Sequence, residues 1–134
     1  MLSHWARSSP EPTLAQPASL SDLAEASNRL GSPLPSPLVA LLGKCNGFVP
    51  PHDQDAGGFS FWSADRLRWW QDRDRAQLVF CDYLAECWFY ALDVDSGAVV
   101  LVGTESGQPQ VVARDFFTFL DLYMTDSAAL YPAP

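Results

Sequence analysis

The sequence predicts an α+β domain: an antiparallel β-meander of four to five strands, packed by N-terminal helices and a C-terminal helix. Three observations predict it. Residues 19–45 carry apolar side chains at helical spacing, punctuated by Leu30-Gly31 and closed by Asn46-Gly47. Residues 77–113 change to short runs rich in Val, Phe and Tyr, separated by brief turns. Strands joined that closely pair antiparallel. From Asp115 the helical spacing returns. Helices segregated from a run of strands define the α+β class.

Taken in order, residues 1–18 are rich in Pro, Ser and Ala and have no period, so they read as a flexible tail, with Trp5 as the one residue suited to dock on the domain. Ser19 or Ser21 starts the first helix, with Asp22 and Glu25 near its positive end. Gly31 stops it, at a C′ position where a Cβ would cost energy. Ser36 and Pro37 start a second helix running to about Cys45, where Asn46-Gly47 ends it. Residues 48–58 form a polar loop too broken by Pro and Gly for regular structure. A short strand over Phe59–Trp62 precedes a third helix expected from Ala64 to Asp72. Strands are expected at 77–82, 87–94, 98–102 and 110–113, with a hairpin turn at Asp95-Ser96-Gly97. Asp115 caps a last helix carrying Phe116, Phe119, Leu120 and Tyr123. The domain is thus expected over 19–125, with a C-terminal tail over 126–134.

A chain of 134 residues makes one ordinary domain and buries about two-thirds of its unfolded surface, so it needs neither metal nor disulfide to fold. Sixteen acidic residues against eight basic ones give a net charge of −8. An acidic surface repels phosphate backbones, which argues against nucleic acid as a partner, and it steers a basic protein. The same charge also serves plain solubility. Three cysteines, Cys45, Cys81 and Cys87, with no apolar leader point to a reducing cytoplasm. No run approaches the roughly 18 apolar residues of a membrane span.

Candidate catalytic chemistry is thin. His52 with Asp53 and Asp55 lacks a fixed ligand spacing, and Cys81 and Cys87 flank a turn without a CxxC pair, so no metal site and no cofactor are expected. No serine sits in a nucleophile elbow and no Gly-rich phosphate loop is present. The candidates for partner contact are Asp53 and Asp55 in the loop, Trp62 beside it, Trp69, and Asp82, Tyr83 and Glu86 at a strand turn. Trp69 and Trp70 point about 100° apart on a helix, so one is core and the other a possible anchor. Turn acids are also ordinary solvated residues. Arg66, Arg68, Arg73 and Arg75 alternate with Asp65, Asp72 and Asp74, which reads as a salt-bridged solvent face.

Four pieces of the chain resemble the SUKH superfamily, the Smi/Knr-like proteins. They are Leu30-Gly31 through Asn46-Gly47; Leu78-Val79-Phe80-Cys81-Asp82-Tyr83; Phe89-Tyr90-Ala91-Leu92-Asp93 with Ser96-Gly97; and Asp115-Phe116-Phe117-Thr118-Phe119-Leu120. Together they cover about residues 20–124. The resemblance implies a non-enzymatic binding module. Bacterial members look mostly like immunity proteins that neutralise polymorphic toxins, often nucleases; fungal members resemble regulatory scaffolds in cell-wall synthesis. Here it implies an immunity protein whose partner is a basic toxin domain. The alternative is a regulatory interaction scaffold or small-ligand-sensing module of the same fold. A homodimer through Trp69 or an open sheet edge is a further expectation.

Overall fold

In a computed structural model, residues 1–7, 12–50 and 53–133 are described. Three helices come first: α1 (Leu2–Ala6), α2 (Leu20–Leu30) and α3 (Ser36–Leu42). Strands β1 (Phe59–Phe61), β2 (Arg68–Trp69), β3 (Gln77–Tyr83), β4 (Trp88–Asp93), β5 (Val99–Val102) and β6 (Gln110–Ala113) follow, then α4 (Phe116–Met124). Short 3₁₀ turns span Ala64–Arg66 and Ala128–Leu130. The α+β class and the antiparallel meander are as the sequence predicts, with six strands in one sheet.

Local chemistry explains the helix starts. The Ser19 hydroxyl accepts the Asp22 N–H at 3.0 Å and the Asp22 carboxylate accepts the Ser19 N–H at 2.9 Å, a reciprocal cap on α2. Asp115 accepts the Thr118 N–H at 2.7 Å at the start of α4, and that bond lowers its pKa.

The sheet runs β1-β3-β4-β5-β6, with β2 also paired to β3, all antiparallel. Two cross-strand rows define its faces. Phe61, Cys81, Tyr90 and Leu101 lie in register on the face that meets α4, where Phe119 touches the rings of Phe61, Phe80 and Tyr90. Ser60, Asp82, Phe89 and Val102 form the neighbouring row on the opposite face. There Trp62 and Trp70 pack on Phe89, at ring separations of 6.0 and 5.3 Å.

Four expectations differ from the structure. The helix expected over Ala64–Asp72 is instead a 3₁₀ turn followed by β2, because Arg68 and Trp69 pair with Val79 and Leu78. This alternation sends Trp69 and Trp70 to different sides of the backbone, which a helix cannot do as well. The second helix stops at Leu42 rather than Cys45; Asn46 turns its side chain to accept the Ala64 N–H at 2.8 Å. The tail expected over 1–18 is packed where it is described. Trp5 is fully buried, and Thr13, Gln16 and Ala18 hydrogen-bond along residues 42–49. Trp5 has a site because Phe48, Phe61 and Tyr123 surround it. In the C-terminal tail, Leu130 is buried and its carbonyl accepts the Tyr90 hydroxyl at 2.6 Å, while the Gln110 side chain bonds Tyr131 and Ala133. His52, Pro51 and residues 8–11 lie outside the described residues.

Candidate protein-interaction surface

Asp82 sits on β3 opposite Ser60 and is 2% exposed. A carboxylate that deep needs donors, and three groups supply them. The Trp62 indole N–H donates to Oδ2 at 2.6 Å, the Arg66 guanidinium stands 3.6 Å from the same oxygen, and the Glu86 N–H donates to Oδ1 at 3.1 Å. Arg66 also lies over the Trp62 ring, 4.6 Å from its centre, and Arg68 lies over Trp62 and Phe89 at 5.6 and 5.2 Å. Burial lowers the pKa of Arg66, while the charges of Asp82, Glu86 and Asp65 act in the opposite direction.

The turn after Asp82 is unusual. Leu84, Ala85 and Glu86 have φ of 46°, 54° and 70°, three successive non-glycine residues in the left-handed region. Each costs about 1–2 kcal/mol, which the Asp82–Glu86 bond and the Leu84 N–H bond to the Gly58 carbonyl help offset. The result presents Leu84 and Glu86 to solvent at the tip of the β3–β4 hairpin.

A second acidic feature lies beside it. Exposed Asp22 and Glu25 of α2 face Asp65 across a groove of about 480 Å³, floored by Ala26, Asn46 and Ala64. Arg29 borders the groove, but its guanidinium donates to the Leu67 and Ala64 carbonyls at 2.7 and 2.9 Å. Among the described residues, Asp22, Glu25 and Asp65 form no ion pair. Arg66, the residue after Asp65, and the Glu86 N–H meet on the two oxygens of Asp82, so the groove and the hairpin tip are neighbours on one flank.

The expected contact residues divide accordingly. Trp62, Asp82 and Glu86 come together around Arg66, a residue expected in a salt-bridged solvent face. Of these, Glu86 alone is exposed; Trp62 and Asp82 are buried and bonded to each other. Trp69 takes the inward place of its pair: it is 7% exposed and donates to the Leu30 carbonyl at 3.0 Å, so it offers little as an anchor or a dimer contact. Trp70 is the half-buried partner. Tyr83 is half-buried and stacks on Trp88 at 4.6 Å. Asp53 accepts the Thr13 N–H at 3.2 Å. Asp55 is buried: its Oδ1 accepts the Gly57 and Phe59 N–H groups at 2.9 Å each, and its Oδ2 accepts the Tyr123 hydroxyl. The expected salt bridges of the Arg66–Arg75 run reduce to Arg66–Asp82 among the described residues.

For other chemistry, Cys45 and Cys81 are buried free thiols whose pKa values burial raises, and Cys87 is exposed. Among the described residues no group of three or more His, Cys, Asp or Glu is placed to hold a metal ion. No described helix is long and apolar enough to cross a membrane.

Comparison with protein families matches residues 17–122 to the SMI1 / KNR4 family (SUKH-1). Comparison with curated proteins finds no match.

Proposed function

The chain belongs to the SMI1 / KNR4 family (SUKH-1), and from that premise we propose that it is a bacterial immunity protein that binds and neutralises a basic, nuclease-type toxin domain. The observation that carries this reading is the acidic flank formed by Asp22, Glu25, Asp65 and Glu86. Its carboxylates are exposed; Arg29 is spent on backbone carbonyls, Arg66 on Asp82, and exposed Arg68 lies over the rings of Trp62 and Phe89. Such a surface attracts a cationic protein over long range and occupies a groove built for phosphates. Neutralisation by occlusion needs no catalytic residue on this chain.

The experiment is co-expression with the toxin encoded beside this gene. Protection by the wild-type chain, lost in Asp22→Lys/Glu25→Lys/Asp65→Lys, supports the reading. Equal killing with and without the chain ends it for that pair. Protection by the triple variant as strong as wild type moves the contact away from this flank.

A second reading, a small-ligand-sensing or regulatory module of the same fold, draws on one cleft. It measures about 680 Å³ and lies between Trp88, the Gly103–Ser106 turn, Gln110 and Pro132. That volume suits a small molecule. A pull-down recovering host proteins in the absence of a neighbouring toxin gene would favour it.

A further inference from the structure

Trp5 has no solvent exposure and is among the largest side chains in the core, yet it stands on a helix of five residues. Helix α1 is too short to be stable alone in water. Among the described residues, no backbone hydrogen bond joins residues 1–7 to the rest of the chain. The segment just after it is different. Thr13, Ala15, Gln16 and Ala18 bond to Val49, Gly47, Asn46 and Leu42 at 2.8 to 3.1 Å. Among the described residues, helix α1 is held by its side chains, with Trp5 foremost and the His4 ring 5.2 Å from that of Tyr123.

The receiving pocket is built without α1. Phe48, Phe61 and Tyr123 wall it, with ring centres 5.2, 5.3 and 6.5 Å from that of Trp5. The Trp5 indole N–H donates to the Tyr123 hydroxyl at 2.7 Å. That hydroxyl is already oriented, because it donates its own proton to Asp55, and Asp55 is fixed by the Gly57 and Phe59 N–H groups. The acceptor for an indole is thus positioned by α4 and the 55–59 turn. Phe48 and Phe61 lie within the family match of residues 17–122, whereas Trp5 lies before it.

We propose that this pocket is a docking site for a tryptophan carried on a short helical turn, that α1 leaves it by local opening, and that its occupant in trans is residues 1–7 of a second copy of this chain. The second copy is favoured because α1 is the segment whose fit is seen. Reciprocal exchange reuses every contact and closes into a symmetric dimer. Opening is local because it breaks no backbone hydrogen bond to the remainder of the described chain, and such segments open below the global free energy. The inference rests on how α1 is attached and is independent of the toxin reading.

The test uses the full wild-type chain. Hydrogen exchange of the indole N–H groups compares Trp5 with Trp69, both buried donors. Trp5 is expected to exchange at least about tenfold faster, as a locally opening segment does. Equal protection would mean that α1 opens only on global unfolding and would overturn the proposal. Sedimentation after long incubation is expected to show a dimer that grows with concentration and dissolves in excess synthetic peptide Met1–Arg7. Trp5→Ala is expected to form none. A wild-type chain monomeric at every concentration, or a dimer that ignores the peptide, also overturns it. These two measurements need no variant, so a Trp5→Ala chain that fails to fold leaves them decisive.

Discussion

Trp62 donates its indole N–H to Asp82 at 2.6 Å across 20 residues of chain, and Arg66 covers the same ring while pairing with the same carboxylate. This arrangement decides what the β3–β4 hairpin shows to a partner. Asp82 and Trp62 are consumed in holding the turn, which leaves Glu86 and Leu84 at its tip.

Removing Asp82 leaves an indole N–H, a guanidinium and the Glu86 N–H without their acceptor. Asp82→Ala is expected to cost about 3 kcal/mol of stability, in the range for breaking a buried charged pair. Asp82→Asn keeps an acceptor for Trp62 and is expected to cost less, about 1–2 kcal/mol. Urea unfolding of the three chains measures both. Asp82→Ala within about 0.5 kcal/mol of wild type would show that the cluster contributes nothing to stability.

Ser60 gives the opposite sign from the neighbouring position. It is 1% exposed and its hydroxyl has no hydrogen-bond partner among the described residues. The folded chain bears the desolvation of that hydroxyl without compensation. Ser60→Ala is therefore expected to raise stability by about 1 kcal/mol, read as a higher urea midpoint at unchanged slope. A loss of stability would mean that the hydroxyl is satisfied after all.

The strands and α4 were legible because their signals are local. Val99–Val102 is an apolar run between turns carrying Gly97 and Gly103, Gln110–Ala113 follows the Gly107 turn, and Asp115 sits where a cap must. Residues 64–72 misled because Leu67 and Trp70 fall at helical spacing, while the strand pairing of Arg68 and Trp69 depends on Val79 and Leu78 of β3. The site was harder for the same reason. Asp55 and Asp82 read as surface acids, since the groups that allow their burial, Tyr123 and Trp62, lie 68 and 20 residues away in sequence. Trp5 stands out in sequence as the residue of the first eighteen suited to dock, and it does so; where it docks was not legible, because its pocket comes from β1, α4 and the residues after α3.

Asn46-Gly47 marks a close approach more than a helix end. Gly47 has φ of 78°, and a Cβ there would overlap the Ser63 nitrogen and lie 2.7 Å from the Trp62 carbonyl carbon. Backbone cannot move aside as a side chain can. Gly97 has a similar φ of 80° but open space around it. Gly97→Ala is expected to cost about 1 kcal/mol from conformation alone. Gly47→Ala adds overpacking and is expected to cost about 3 kcal/mol or more. Thermal unfolding of the pair isolates the steric part, and equal costs would refute the close approach.

The alkaline limit of stability follows from two buried tyrosines. Burial raises the pKa of Tyr90 and Tyr123 well above the ordinary 10.0, and the Asp55 charge adds to it at Tyr123. In the unfolded chain these phenols ionise near pH 10, while in the folded chain they keep their protons. The unfolded state then binds fewer protons, so stability falls as pH rises. The contribution is fully present below pH 10 and is lost progressively above it. For Tyr90 and Tyr123, each ionised only when unfolded, the slope is about −1.4 kcal/mol per pH unit; Tyr131, whose hydroxyl meets Asp126 at the surface, adds less. An alkaline titration followed by tyrosinate absorbance and circular dichroism together is expected to show the share of the absorbance change that belongs to Tyr90 and Tyr123 arriving with loss of structure. Tyr123→Phe is expected to flatten the fall above pH 10, because one of the protons driving it is gone. Tyrosinate absorbance that reaches its full value while the dichroism stays native would show that these hydroxyls are open to solvent, and the buried bond from Tyr123 to Asp55 would fall with them.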